Sequence, residues 1–166
     1  TNANILTLMP PIANPNQPLE DEADIIPVAT AYGEIARRAQ ELGILPCLHP
    51  DIDSLVCDQK TLEQFLEHSD PTVMKLCADV SFLALAKIPI NKFLKEHCNR
   101  IGNIHLRDLK PLHGKKKNKQ PTFQTVELGK GVLKLEEFID AFLSIKFSGW
   151  VSVEFEKGAK NLAQQA

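Results

Sequence analysis

The chain has 166 residues, of which 43% are hydrophobic and 24% are charged, and its formal net charge is −2. This composition excludes a disordered or fibrous chain and predicts a single folded domain over residues 1–166. The near-neutral charge gives no general attraction to nucleic acid or anionic membranes, so neither is an expected partner. The sequence also lacks an apolar run of about 20 residues, the length that would predict a membrane span.

The four cysteines form no CxxC pair, a pattern that favours reduced thiols over disulfides. Reduced thiols are typical of cytoplasmic proteins, so a cytoplasmic location is expected. The chain begins at Thr1 with a strand-like segment close behind, which predicts that it is a fragment of a longer protein.

Short apolar runs alternate with amphipathic segments in the first part of the chain. Residues 5–9 form an apolar run that predicts a strand, and two prolines end it. Apolar residues then recur at steps of three and four over residues 25–42, which predicts a helix that ends at Gly43. Residues 44–48 predict the next strand, and the polar segment 49–51 follows it directly.

The same alternation continues to the end of the chain. Asp58 is a predicted helix cap, Pro89 is a predicted start for a third helix, and a long polar loop with a lysine run follows Asp108. The remaining predicted elements are strands at 73–78, 101–106 and 150–153 and a fourth helix at 135–145. Strands that alternate with helices require a parallel sheet with helical crossovers.

One ionisable residue follows each of four predicted strands: His49, Asp79, His105 and Glu154. Five strands and four helices fit either an open doubly wound sheet or part of a barrel. The chain has neither glycine-rich phosphate-binding motif, and only a barrel directs neighbouring strand ends toward a common centre. The predicted fold is therefore α/β, an incomplete (β/α)₈ barrel of about five βα units.

Two histidines and two carboxylates are suitable ligands for a divalent ion such as Mn²⁺, Co²⁺ or Zn²⁺. His105 alone could equally be a structural histidine at a strand end, oriented by Asp108. The matching positions of Asp79 and Glu154 favour metal ligation instead.

Five segments resemble a known family: 43–50 (GILPCLHP), 70–79, 100–108 (RIGNIHLRD), 128–131 (LGKG) and 149–154 (GWVSVE). From about Ala29 to Glu156 the chain resembles the carboxyl-terminal part of the xylose isomerase-like (β/α)₈ barrels. These are sugar isomerases and epimerases, and the resemblance is closest to their inosose dehydratase branch.

This resemblance implies a divalent metal ion, with Mn²⁺ or Co²⁺ expected in preference to Zn²⁺ or Mg²⁺. It implies Asp79, His105 and Glu154 as metal ligands. His49 is a fourth candidate, although the family's ligand from that strand is usually a glutamate.

The chain departs from the family pattern beside two of these strand ends. Asp51 stands where the family has a second histidine, and Cys57 lies where it has a glutamate. Phe82 replaces a histidine that in the family contacts substrate or its surroundings, and a phenyl ring cannot transfer a proton. The metal ligands are largely kept, whereas the substrate-binding residues are altered.

The leading functional hypothesis is a metal-dependent enzyme acting on a small sugar, polyol or inosose through an enediolate-type intermediate. Glu154 is the predicted base, and His49 or Asp51 is the predicted acid. Arg107 and Asp108 are predicted to bind substrate, although an ion pair between them is an equal alternative. Isomerisation, epimerisation and dehydration share the intermediate, and the sequence does not separate them.

Two other hypotheses remain open at this stage. The altered substrate residues are compatible with a catalytically impaired protein that binds sugars or a partner. A section of five strands also leaves two sheet edges open, which favours a homo-oligomer or pairing with a missing amino-terminal half of the barrel.

Overall fold

The computed structural model describes residues 3–13, 24–112 and 122–155, which form seven strands and five α-helices. The strands are β1 (Ile5–Leu8), β2 (Leu45–Leu48), β3 (Lys75–Asp79), β4 (Ile101–Leu106), β5 (Asp108–Leu112), β6 (Thr122–Val126) and β7 (Trp150–Val153). The helices are α1 (Ile25–Glu41), α2 (Gln59–Glu67), α3 (Val80–Leu85), α4 (Ile90–His97) and α5 (Leu135–Ser144).

Five parallel strands form one curled sheet in the order β1-β2-β3-β4-β7, which is the sheet of an incomplete barrel. The register pairs Cys77 with Asn103, and Asp79 with His105, on β3 and β4. His105 pairs in turn with Ser152 of β7. Side chains two residues apart share a face of a strand, so these residues lie together on one face of the sheet.

The opposite face of the sheet packs against the helices. Leu48, Leu76 and Ile104 from three neighbouring strands belong to one buried apolar cluster. The same cluster contains Phe65 of α2 and Phe142 of α5. Burial of this face fixes the strand register, because a slip of one residue would turn its apolar side chains toward the polar face.

Local signals in the sequence account for the helix ends. Asp58 caps α2 by accepting the backbone N–H of Thr61 at 2.8 Å, and the Thr61 hydroxyl accepts the backbone N–H of Asp58 in return. Gly43, with φ of 73°, lies just beyond α1, in a conformation that favours glycine. Both of these predicted helix boundaries are confirmed, as is the parallel sheet.

Two elements differ from the sequence-based expectation. Part of the predicted polar loop is an antiparallel hairpin of β5 and β6. Helix α3 directly follows Asp79 and was not predicted. The lysines at 115–117 and 119 lie outside the described residues.

All four cysteines are free thiols, so the expectation of no disulfide is confirmed. Among the described residues, no helix is both long and apolar enough to cross a membrane. Strands β1 and β7 are the edges of the five-stranded sheet, each paired on one side within the part of the chain that the structure describes.

Candidate metal centre

The carboxyl ends of β2, β3, β4 and β7 place four ionisable side chains side by side. Sheet hydrogen bonding continues past two of these ends, because the N–H of His49 donates to Leu8 at 2.8 Å and that of Glu154 donates to Leu106 at 3.0 Å. Parallel neighbours with this register bring successive strand ends to one rim of the sheet.

His49, Asp79, His105 and Glu154 form a single cluster in which one ligand atom from each residue lies within 4.8 Å of all the others. His49 Nε2 is 3.3 Å from Asp79 Oδ2, and His105 Nδ1 is 2.8 Å from Glu154 Oε1. The two imidazole rings are 4.9 Å apart between centroids. The structure thus brings together all four residues that the sequence analysis nominated as metal ligands.

Several atoms of this cluster are buried without a hydrogen bond from the described residues. They are both ring nitrogens of His49, Oδ2 of Asp79 and Nδ1 of His105. The short distances within the cluster therefore lack the alignment of hydrogen bonds. Buried polar atoms without partners are costly, and a cation held between them would satisfy nitrogen and oxygen lone pairs together. These residues fit a divalent metal ion.

Asp79 uses its two carboxylate oxygens differently. Oδ1 accepts the backbone N–H groups of Ser81 at 2.7 Å and Phe82 at 2.9 Å, together with the Ser81 hydroxyl. Burial raises the pKa of Asp79, but its polar contacts outweigh this effect and lower the pKa to about 2. These contacts are with His49, Ser81 and the backbone N–H of Phe82, and the positive charge of Arg107 acts in the same direction. The carboxylate is ionised at neutral pH and directs Oδ2 into the cluster.

Burial also determines the protonation of His105. Desolvation lowers the pKa of this imidazole, and the neighbouring His49 and Arg107 lower it further. The carboxylates of Glu154 and Asp79 raise the pKa, but their effect is smaller than the combined lowering. A neutral imidazole is the form that binds metals. His105 is therefore in the protonation state that a metal ligand requires.

Arg107 lies beside both carboxylates of the cluster. Its guanidinium pairs with Oε2 of Glu154, and its Nε lies 3.7 Å from Oδ2 of Asp79. This cation balances part of the negative charge that two adjacent carboxylates concentrate at the rim. The predicted role of Arg107 in binding a substrate anion remains a prediction.

Asp51, the other predicted acid, does not belong to the cluster. Asp51 belongs to a turn, where its Oδ1 accepts the backbone N–H of Asp53 at 2.9 Å and its own N–H donates to Val56. It is not a member of the ligand group.

Asp108 holds a loop together instead of extending into the cluster. Its carboxylate accepts backbone N–H groups of Leu109 at 2.8 Å, Gly129 at 3.0 Å, Gly131 at 2.8 Å and Leu133 at 3.2 Å. Asp108 is 1% exposed, so these bonds are shielded from water. Both oxygens are engaged in fixing the segment between β6 and α5.

Three residues of the site region were not predicted from the sequence: Cys77, Ser81 and Asn103. Cys77 and Asn103 are buried two residues before Asp79 and His105, so strand alternation places them on the same face. Asn103 and His105 line an open cavity of about 310 Å³ with residues of β1 and β7. Alternation was the signal that could have identified the two strand residues.

Comparisons with known proteins agree with this architecture. The model of the family described as "Xylose isomerase-like TIM barrel" matches residues 1–166. An inosose dehydratase from Halalkalibacterium halodurans is 21% identical over 149 residues, which are 85% of this chain and 49% of that protein. The chain thus spans about half the length of the curated relatives it matches.

Solved structures share the fold. The structure of the IOLI protein with a bound zinc atom has a TM-score of 0.70 at 18% identity, covering 92% of this chain and 54% of that one. The 3-keto-D-glucoside 4-epimerase YcjR from E. coli has a TM-score of 0.69 at 13% identity, covering 95% and 59%. With the family match over its whole length and a parallel sheet curled as in a barrel, the chain belongs to the xylose isomerase-like TIM-barrel family.

Proposed function

We propose that this chain provides the metal-binding half of an enzyme that moves a proton beside a carbonyl group of a small sugar, polyol or inosose. The observation that supports it most directly is the cluster of four ligand atoms within 4.8 Å, several of them buried without a hydrogen bond from the part of the chain that the structure describes. Relatives named as inosose dehydratases and a neighbour named as an epimerase act on molecules of this kind.

The proposed ligands are Asp79, His105 and Glu154, with His49 as the fourth. A divalent ion bound there would supply Lewis-acid stabilisation of the negative charge that develops on substrate oxygens. Mn²⁺ and Co²⁺ are the proposed ions, because the two carboxylates suit a harder ion such as Mn²⁺ and the two imidazoles suit Co²⁺.

Glu154 is the proposed base. Its side chain is 33% exposed, whereas the side chains of His49, Asp79 and His105 are 7% exposed or less. A group that removes a proton from substrate must reach it, and Glu154 has the most exposed side chain of the four. Arg107 holds Oε2 of Glu154, which fixes the orientation of this carboxylate.

The proton-transfer step can be tested without knowing the final product. The purified chain, loaded with Mn²⁺ or Co²⁺, is incubated in D₂O with a panel of ketoses and inososes. We expect NMR to show deuterium replacing the hydrogen beside the carbonyl of at least one substrate, and Glu154→Gln to abolish this exchange. Glu127→Gln, which changes an exposed carboxylate, is the matched control and should keep it.

A second candidate function is sugar binding without turnover. Phe82 lies buried in the apolar cluster, where the family resemblance implies a histidine. Its side chain contributes packing and supplies no proton. Metal-dependent sugar binding by calorimetry, with no deuterium exchange and no product, would favour this function over catalysis.

We propose further that another section of barrel closes the site. Strands β1 and β7 are sheet edges, and Trp150 of β7 is 67% exposed beside the cavity. The missing wall would come from an amino-terminal half or from a second copy of the chain. Light scattering separates these sources, because a dimer supports the second copy and a stable monomer contradicts it.

A further inference from the structure

Cys77 lies directly beneath the proposed metal site and has no assigned role in it. It precedes Asp79 by two residues on β3, so both side chains emerge on the polar face of the sheet. The residue is fully buried, and its thiol is free.

The sulfur belongs to a second group of potential ligands. His49, Cys77 and His105 each offer an atom within 4.8 Å of the other two. All three residues are buried, and both ring nitrogens of His49 and Nδ1 of His105 are without a hydrogen bond from the described residues. The two histidines are therefore shared between a sulfur-containing set and the oxygen-rich set that includes Asp79 and Glu154.

These two sets differ in the ions that they prefer. A thiolate with two imidazoles favours borderline and softer ions such as Zn²⁺ and Co²⁺, whereas carboxylates favour harder ions such as Mn²⁺ and Mg²⁺. Neither ring nitrogen of His49 has a hydrogen bond from the described residues, so this side chain can serve either set. The position of Cys77, two residues deeper on the strand than Asp79, separates the sets along the barrel axis.

We propose that Cys77 is a metal ligand, so that Zn²⁺ or Co²⁺ binds to His49, Cys77 and His105 while Mn²⁺ binds to the oxygen-rich set. This proposal rests on the proposed function, since it assigns a further ligand to the same metal centre. The identity of the bound ion therefore decides which of the two ligand sets holds it.

Cobalt spectroscopy tests the proposal on the intact chain. Titration of the metal-free protein with Co²⁺ should produce an intense sulfur-to-cobalt charge-transfer band in the near ultraviolet, together with weaker visible bands. Cys77→Ser should lose the intense band and keep visible ones. The Zn²⁺ affinity of this variant should fall at least 10–100-fold, roughly the loss seen when a residue that only supports a ligand is removed. Its Mn²⁺ affinity should not change.

Cys47→Ser is the matched control, because this cysteine is equally buried on the neighbouring strand and belongs to neither ligand group. It should keep the band. If Cys77→Ser does not fold, a band that survives removal of each of the other three cysteines still assigns the sulfur to Cys77. If the wild-type protein shows visible bands without the charge-transfer band, Cys77 is not a ligand, but the proposed metal centre is still supported. Complete absence of Co²⁺ bands would overturn both.

Discussion

Replacing Asp108 by alanine should destabilise the chain severely without changing any proposed metal ligand. The carboxylate accepts four backbone N–H groups, and Asp108 is 1% exposed. The N–H of Leu109 belongs to a buried residue and would lose its acceptor, which should lower the free energy of unfolding by about 1–3 kcal/mol. The N–H groups of Gly129, Gly131 and Leu133 lie in a partly exposed loop, where water can replace the carboxylate. Loss of each of these three hydrogen bonds should lower the free energy of unfolding by about 0.5–1 kcal/mol.

The combined loss is about 2.5–6 kcal/mol, a large part of the 5–15 kcal/mol that stabilises a typical domain. Urea unfolding followed by circular dichroism measures it, with Asp140→Ala on the exposed side of α5 as the control. The control should change the free energy of unfolding by less than about 0.5 kcal/mol. A loss below about 1 kcal/mol for Asp108→Ala would refute the assignment of this carboxylate to the loop.

Two further predictions concern acid stability and thiol reactivity. Because the pKa of Asp79 is lowered from 3.8 to about 2, its ionisation stabilises the metal-free fold above pH 3.8, and this contribution is lost as the pH falls toward 2. Urea unfolding should therefore show wild type losing about 2 kcal/mol more than Asp79→Asn between pH 5 and pH 2; equal losses would contradict the lowered pKa. Cys57 and Cys98 are partly exposed and should react with a thiol reagent in the native protein, whereas Cys47 and Cys77 should react only on unfolding. Labelling of all four native thiols, followed by mass spectrometry of peptides, would contradict the buried positions of the last two.

The strand ends were predictable because two kinds of sequence signal agreed. Apolar runs predicted the strands, and four of the five were followed by an ionisable residue at the carboxyl end. Parallel register then placed Asp79 beside His105, and β7 beside β4 placed Glu154 next to His105. Long-range assembly of the cluster therefore followed from topology alone, without knowledge of any single contact.

Short and locally ambiguous elements were not predictable in the same way. Helix α3 has six residues, too few for helical periodicity to appear. Strand β5 contains Pro111, a residue that argues against a strand because it cannot donate to a ladder. The hairpin depends instead on its pairing with β6, which is a tertiary contact.

Individual partners of the site residues were also beyond the sequence. The guanidinium of Arg107 reaches Glu154 across the sheet, 47 positions away in sequence. Asp108 bonds to a loop more than 20 residues distant. Only the folded chain shows which of two adjacent polar residues turns toward the cluster and which supports the loop.

Calorimetric titration of the metal-free chain with Mn²⁺ measures whether the cluster of His49, Asp79, His105 and Glu154 binds a metal ion. We expect saturable binding of about one ion per chain, weakened at least about tenfold in both Asp79→Asn and His105→Ala, since each substitution removes a proposed ligand. Glu127→Gln changes an exposed carboxylate that belongs to neither ligand group, and this variant should bind as wild type does. No saturable binding, or equal binding by wild type and both ligand variants, would contradict the assignment of this cluster as a metal centre.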